Sequence, residues 1–145
     1  MLREAVVLTG FGRNLLQKMK DMGVEIYDSS DQDVKDYMTK NNARGDTWFN
    51  GTVDDAGPHT TTVLLGPNVN DAAIYEEYLH VLNGEARGWL GIALPEAWEE
   101  EVIVEMQVLS KADELGMTET ERDELQHSID SYRKQLYDNY GITVP

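Results

Sequence analysis

The chain has 145 residues, of which 41% are hydrophobic and 27% are charged, and this composition supports one folded domain with a buried core. Its 27 acidic residues outnumber 12 basic residues and give a formal net charge of −15. So large a negative charge argues against binding to nucleic acid or to an anionic membrane surface. The sequence shows neither a membrane-spanning apolar run nor a signal-peptide pattern. It contains no cysteine, which excludes disulfides and thiolate metal ligands.

In the first half of the chain, helix and strand patterns alternate. Apolar residues at helical spacing, glycine stops and β-branched or aromatic runs distinguish the two. They predict, in chain order, a helix over 11–22, a strand over 24–27, a helix that starts at Ser30 and ends at Asn41, and strands at Thr47–Phe49 and Thr60–Leu65. Turn-forming residues at Asp54–Pro58 lie between the last two strands and indicate a hairpin or a longer connection.

The second half of the chain has the pattern of three helices. They are predicted from Asp71 to Leu82, where Asn83-Gly84 ends the first, from Pro95 to about Glu114, and from a capping box at Thr118 and Glu121 to Tyr140. Residues 1–72 hold 11 acids and 7 bases, whereas residues 73–145 hold 16 acids and 5 bases. We predict a single α+β domain over 1–145, in which a small β-sheet with N-terminal helices (1–70) is followed by three C-terminal helices (71–145).

The segment from Ile74 to His80 contains the one constellation that could carry chemistry. On a helical wheel the apolar face is formed by Tyr75, Tyr78, Leu79 and Leu82. Glu76 and His80 fall on the opposite face, one turn apart, where two side chains can bind the same metal ion. Glu77 lies on the flank, at the general-base position of the H-E-x-x-H motif. The alternative is a solvated acidic helix face that happens to include a histidine.

The next predicted helix carries two further carboxylates. Glu105 lies within the apolar run from Val102 to Leu109, so we expect this segment to be buried on all sides. Glu101 precedes Glu105 by one turn, nearer the polar edge. A buried carboxylate needs a partner or a metal, so either glutamate could supply a third ligand beside His80. The alternative is a protonated Glu105 that bonds a backbone carbonyl or pairs with Arg87.

The third C-terminal helix contains a second E-x-x-H sequence, from Glu124 to His127. Paired E-x-x-H motifs are typical of carboxylate di-iron proteins. The predicted buried stripe of this helix consists of Leu125, Ile129, Tyr132, Leu136 and Tyr140. His127 falls on the opposite side and is expected to face solvent, which argues against a di-iron centre.

Three elements over residues 15–115 resemble the zincin-like metallopeptidase domains of bacterial polymorphic toxins and secretion-system effectors. These elements are the strand Thr60–Leu65, the following helix with Glu76-Glu77-x-x-His80, and a further helix with Glu101 and Glu105. The resemblance implies a zincin-like fold in which Thr60–Leu65 is an edge strand that precedes the active-site helix.

The resemblance also implies a zinc-dependent metallopeptidase acting on a protein or peptide substrate. His80 would be a zinc ligand, and Glu77 would activate the metal-bound water that attacks an amide. Glu101 or, because of its expected burial, Glu105 would complete the ligand set. Glu76 stands where the family has its first histidine, and a Glu-His-Glu set would admit Mn²⁺ as well as Zn²⁺.

The resemblance further implies a toxin or effector module of a larger secreted bacterial protein, acting in a target cell and neutralised by a cognate immunity protein. The charge alone favours a second interpretation, in which a non-enzymatic acidic protein, such as an immunity protein or a nucleic-acid mimic, neutralises a basic partner. The enzyme requires Glu76, His80 and Glu105 or Glu101 to converge. The binding protein would instead disperse its carboxylates over a convex surface.

Overall fold

The computed structural model describes residues 8–50, with the side chain of Asn50 excepted, 60–89 and 91–145. The described residues form five helices and three strands in the order α1 (Gly10–Asp21), β1 (Glu25–Tyr27), α2 (Gln32–Lys40), β2 (Gly45–Asn50), β3 (Thr60–Leu65), α3 (Asp71–Ala86), α4 (Glu96–Ser110) and α5 (Glu119–Tyr140). The predicted α+β class and the order of its elements are confirmed. The predicted turn at Asp54–Pro58 lies outside the described residues.

The three strands form one mixed sheet with the order β1-β3-β2. Val63 at its centre pairs with Ile26 in the parallel ladder to β1 and with Thr47 in the antiparallel ladder to β2. The prediction that Thr60–Leu65 is an edge strand is therefore wrong. Its last three residues are all buried, and an unbroken apolar run of this kind belongs in a strand that is covered on both faces.

Helices cover both faces of this sheet. On one face, α1 and α3 contribute to a core cluster that includes Leu15, Met19, Val63, Ile74 and Val81. On the other face, α2 packs Val34 and Met38 against Leu64 of β3. Odd and even positions of β3 point to opposite faces of the sheet. Val63 is therefore buried by α1 and α3, and Leu64 by α2.

Several predicted helix ends differ from the observed ones by one or a few residues. The cap of α2 is Asp31 rather than Ser30, because the Asp31 carboxylate accepts hydrogen bonds from the first turn. Helix α3 continues past Gly84 to Ala86, and α4 ends at Ser110, short of the predicted Glu114. The capping box of α5 at Thr118 is confirmed.

The chain divides into two compact units, Met1–Gly91 and Ile92–Pro145. Helix α3 therefore belongs with the sheet, whereas the sequence pattern grouped it with the C-terminal helices. The core of the second unit is formed by Val102 of α4 together with two α5 residues, Ile129 and Leu136.

The prediction that α4 is buried on all sides is wrong. Ile103 is 49% exposed and Met106 is also exposed, although Val102, Val104 and Val108 are buried. Within its own unit α4 packs against one helix, α5, and one partner helix can cover only one stripe of a helix surface. Among the described residues no helix combines the length and the apolar composition needed to cross a bilayer.

Candidate metal centre

The face that α3 buries is not the face that its apolar residues predict. Its buried positions include Ile74, Glu77, His80, Val81 and Gly84, whereas the predicted apolar face of Tyr75, Tyr78, Leu79 and Leu82 is only half-buried. The prediction that Glu76 and His80 lie opposite the buried face is therefore wrong for His80. The helix is rotated so that Glu77 and His80 are buried in the protein interior, where each polar side chain needs a partner.

The first turn of α3 is held by two polar groups, which set the position of the helix. The Asn70 side chain caps the helix by accepting a hydrogen bond from the backbone N–H of Ala73. The buried carboxylate of Asp71 accepts hydrogen bonds from the backbone N–H and the hydroxyl of Thr9, the N-cap residue of α1. Carboxylates are favoured at helix N-termini, and the Asp71 carboxylate lies at the N-termini of both α1 and α3.

Glu76 and His80 lie one turn apart on α3, as the sequence spacing predicts. A carboxylate oxygen of Glu76 and an imidazole nitrogen of His80 lie within 4.8 Å of each other. Two ligands that share one ion through bonds of about 2.1 Å are separated by at most about 4.2 Å. The observed limit of 4.8 Å is close to that separation. The pair therefore fits a divalent cation that accepts one oxygen and one nitrogen donor.

Glu77 is the most deeply buried acid of this helix, with 4% of its surface exposed. Its Oε1 accepts a hydrogen bond of 2.8 Å from the hydroxyl of Thr47 on β2. A Cβ atom added at Gly45 would lie only 2.7 Å from the other oxygen, Oε2. The glycine thus makes room for the carboxylate, and the threonine orients it. Glu77 faces the sheet, held in one orientation.

The two carboxylates of α4 belong to the second unit and differ in their surroundings. Glu105 is buried, with 6% of its surface exposed, which confirms the expected burial. Its Oε2 accepts a hydrogen bond of 3.0 Å from the hydroxyl of Ser128 on α5. Glu101, one turn earlier, is only half-buried. The polar contact that accompanies the burial of Glu105 is thus made within its own pair of helices.

His127 is exposed on α5, and Ile129 and Leu136 are buried on the other side of that helix. This confirms the expected orientation of the second E-x-x-H sequence. A histidine that points to solvent cannot join a ligand set inside a helical bundle. The di-iron alternative therefore has no support from this helix.

Sequence reasoning missed the two β2 residues that hold Glu77. Their signal in the sequence is the alternation of Gly45, Thr47 and Phe49, which predicts that all three share one face of the strand. The alternation does not reveal that α3 covers that face. Nor does it show that Gly84 of α3 is the position against which the Phe49 ring packs.

The chain shows no match to a known family model, a curated protein or a solved structure. The resemblance to zincin-like toxin domains therefore stays a prediction that rests on the motif residues.

Proposed function

We propose that this protein is a divalent-metal-dependent hydrolase that cleaves amide bonds, with zinc held by Glu76 and His80. One observation carries the proposal: the two ligand atoms, one turn apart on α3, lie within 4.8 Å of each other. The burial of His80 supports it, since a buried imidazole offers one nitrogen in a defined direction and is shielded from competing water.

For the third ligand we propose Glu101 rather than Glu105. Within the second unit, Oε2 of Glu105 already accepts a hydrogen bond from the Ser128 hydroxyl. An ion at Glu105 would compete with the Ser128 hydroxyl for the charge of that carboxylate. Glu101, one turn earlier on the same helix, is half-buried and is the more accessible of the two carboxylates.

In the proposed reaction, Glu77 is the general base. The ion, when bound, would polarise the amide carbonyl and make water more acidic. The Thr47 hydroxyl orients the Glu77 carboxylate through Oε1, and we assign the acceptance of a proton from water to this carboxylate. Burial of Glu77 keeps this carboxylate in one orientation, which a base requires in order to act at a single position.

The proposed biological role follows the resemblance stated for the sequence. The chain would be a toxin or effector module of a larger secreted bacterial protein, would act on a protein or peptide inside a target cell, and would be neutralised by a cognate immunity protein. Zinc is the favoured ion, and a ligand set with two carboxylates would also accept Mn²⁺.

The first test is the metal content of the purified protein by elemental analysis, after incubation with Zn²⁺ or Mn²⁺ and removal of free ion. We expect about one ion per chain in the wild type, with binding lost in His80→Ala. His127→Ala is the matched control, because it removes an exposed histidine from another helix. A wild type that binds no metal, or equal losses in both variants, would overturn the proposal.

The ligand and base assignments are tested next. We expect Glu101→Gln to weaken zinc binding strongly and Glu105→Gln to leave it unchanged, and the reverse result would reassign the third ligand. Glu77→Gln should retain zinc but lose hydrolysis of an unfolded protein substrate. If Glu77→Gln hydrolyses that substrate at the wild-type rate, Glu77 is not the base.

The second candidate function is a non-enzymatic protein that binds a basic partner. The observation that favours it is the net charge of −15, to which the second unit contributes 13 acids and 4 bases within 54 residues. Such a surface attracts cationic proteins over a range set by the ionic strength. This candidate predicts a metal-free wild type that forms a stoichiometric, salt-sensitive complex with a basic protein.

A further inference from the structure

The sheet face that α2 covers only in part carries a row of three residues across the strands. Glu25 of β1 pairs with Thr62 of β3, and Trp48 of β2 pairs with the same threonine. Paired residues point to the same side of a sheet. At about 4.8 Å per strand, the backbones of Glu25 and Trp48 are about 10 Å apart, with the short Thr62 side chain between them. We call the space above Thr62, between the side chains of Glu25 and Trp48, the Trp48 cleft.

Trp48 forms one wall of the Trp48 cleft and is 44% exposed. Its orientation is nevertheless held from two sides. The indole Nε1 donates a hydrogen bond of 2.7 Å to Oδ2 of Asp46. The ring of Tyr37 on α2 makes an edge-on contact with the indole, with centroids 5.5 Å apart. An exposed tryptophan held in this way loses little further conformational entropy when a ligand stacks on it.

Glu25 forms the opposite wall and is held by its neighbour on β1. The hydroxyl of Tyr27 donates a hydrogen bond of 3.0 Å to Oε2 of Glu25. This hydrogen bond to Glu25 raises the pKa of Tyr27, so the hydroxyl keeps its proton and remains a donor at neutral pH. Each wall of the cleft is thus oriented by one hydrogen bond within its own strand.

The charged residues of the three strands all have one sign. The three strands contain two acids, Glu25 and Asp46, and none of their residues is Lys or Arg. An indole face attracts cations through its quadrupole, and a carboxylate across the cleft adds an ionic partner. A guanidinium suits both walls better than an ammonium, because it is planar enough to stack and has several N–H donors.

We propose that the Trp48 cleft binds an arginine side chain of a protein or peptide partner, with the guanidinium between Trp48 and Glu25 above Thr62. The proposal does not rest on the proposed metal centre. The metal-ligating helix α3 packs on the other face of the sheet, so loss of zinc binding leaves the cleft intact.

The test is an NMR titration of the indole N–H signal of Trp48, assigned by its absence in Trp48→Phe. The probe is a Gly-Arg repeat peptide at 0.15 M salt. The same peptide with neutral citrulline in place of arginine is the comparison. We expect a saturable shift with the arginine peptide alone. A weaker response to a Gly-Lys peptide would identify the guanidinium as the preferred cation.

Two pairs of variants separate the cleft from general charge attraction. By isothermal titration calorimetry, which does not depend on the indole signal, Trp48→Ala and Glu25→Gln should each weaken the binding of the arginine peptide about five- to tenfold, the loss of one cation–π or ionic contact. Their controls are Tyr137→Ala, which removes another exposed aromatic, and Glu124→Gln, which removes one negative charge just as Glu25→Gln does. The controls should bind like the wild type.

Three results would overturn the proposal. They are no saturable shift at Trp48, an equal shift with the citrulline peptide, or equal weakening in Glu25→Gln and Glu124→Gln. If Trp48→Ala is misfolded by circular dichroism, Trp48→Phe replaces it. Phenylalanine keeps a smaller aromatic face, so its peptide affinity should fall between those of the wild type and Glu25→Gln.

Discussion

Both compact units bury a glutamate, and the two glutamates differ in their neighbours. Glu77 in the first unit accepts a hydrogen bond from Thr47, and Glu105 in the second accepts one from Ser128. Each carboxylate is thus bonded to a hydroxyl on the element that it packs against. Glu77, however, is next to a carboxylate and one turn from a histidine on the same helix. Burial of an acid therefore does not by itself mark a functional site, and the histidine one turn away on the same helix distinguishes Glu77 from Glu105.

The largest expected difference between the two glutamates appears when zinc is added. At a zinc concentration about 100-fold above its dissociation constant, binding should stabilise the folded wild type by about 2.7 kcal/mol. Glu105→Gln should gain the same stabilisation, and His80→Ala should gain none. The midpoint of thermal unfolding with and without Zn²⁺ measures both. Equal gains in all three proteins would show that the ion binds elsewhere.

The hydroxyl partners should matter equally in the two units. Thr47→Val and Ser128→Ala each remove a hydrogen bond to a buried carboxylate, and each should lower the free energy of unfolding by about 1.5–3 kcal/mol. Urea denaturation measures the change, with the exposed Ser131→Ala as a control that should stay within about 0.5 kcal/mol. If only Thr47→Val is destabilising, the two buried glutamates are not held by equivalent contacts.

A substitution that fills the space around Glu77 is expected to change the free energy of unfolding somewhat less. Gly45→Ala places a methyl group 2.7 Å from Oε2 and 2.8 Å from Cγ of Glu77, so the side chain must move, at a cost of about 1–3 kcal/mol. Gly10→Ala is the control, because nothing lies within 4 Å of its added Cβ. Its helical position should make it neutral or slightly stabilising. Unchanged stability in Gly45→Ala would mean that Glu77 is loosely held.

The smallest effect concerns Asp46, an acid that is half-buried rather than buried. Burial and the neighbouring charge of Asp46 raise the pKa of Tyr37 above 10.0, its ordinary value. A raised pKa in the folded state contributes stability that is present below about pH 10 and is lost as the pH rises through the folded pKa. The free energy of unfolding of the wild type should therefore fall more steeply above pH 10 than that of Tyr37→Phe. Parallel pH profiles would contradict this assignment.

Local sequence patterns were sufficient to predict most of the elements. The strand Thr60–Leu65 and the Thr118 capping box were predicted at the residues where they occur, because both depend on neighbours in sequence. The end of α3 was not, since its expected stop at Gly84 is where the Phe49 ring packs against the helix. The local sequence does not distinguish a glycine that allows close packing within a helix from a glycine that ends a helix.

For the candidate site, too, the sequence predicted some features and not others. The one-turn spacing of Glu76 and His80 is a property of any helix, so the sequence alone determined that their ligand atoms could meet. The burial of His80 and Glu77 was not predictable from α3, because it depends on how the helix is rotated against the sheet. Packing of α3 against α1 and the sheet determines that rotation.

What the sequence by itself determined is thus the set of elements, the α+β class, the acidic charge and the pairing of Glu76 with His80, all of which follow from residues close together in the chain. Only the tertiary structure decided the central place of β3, the assignment of α3 to the unit that contains the sheet, and the row of Glu25, Thr62 and Trp48. These features join residues that are far apart in sequence. Their positions result from which apolar faces bury each other, and no single segment contains that information.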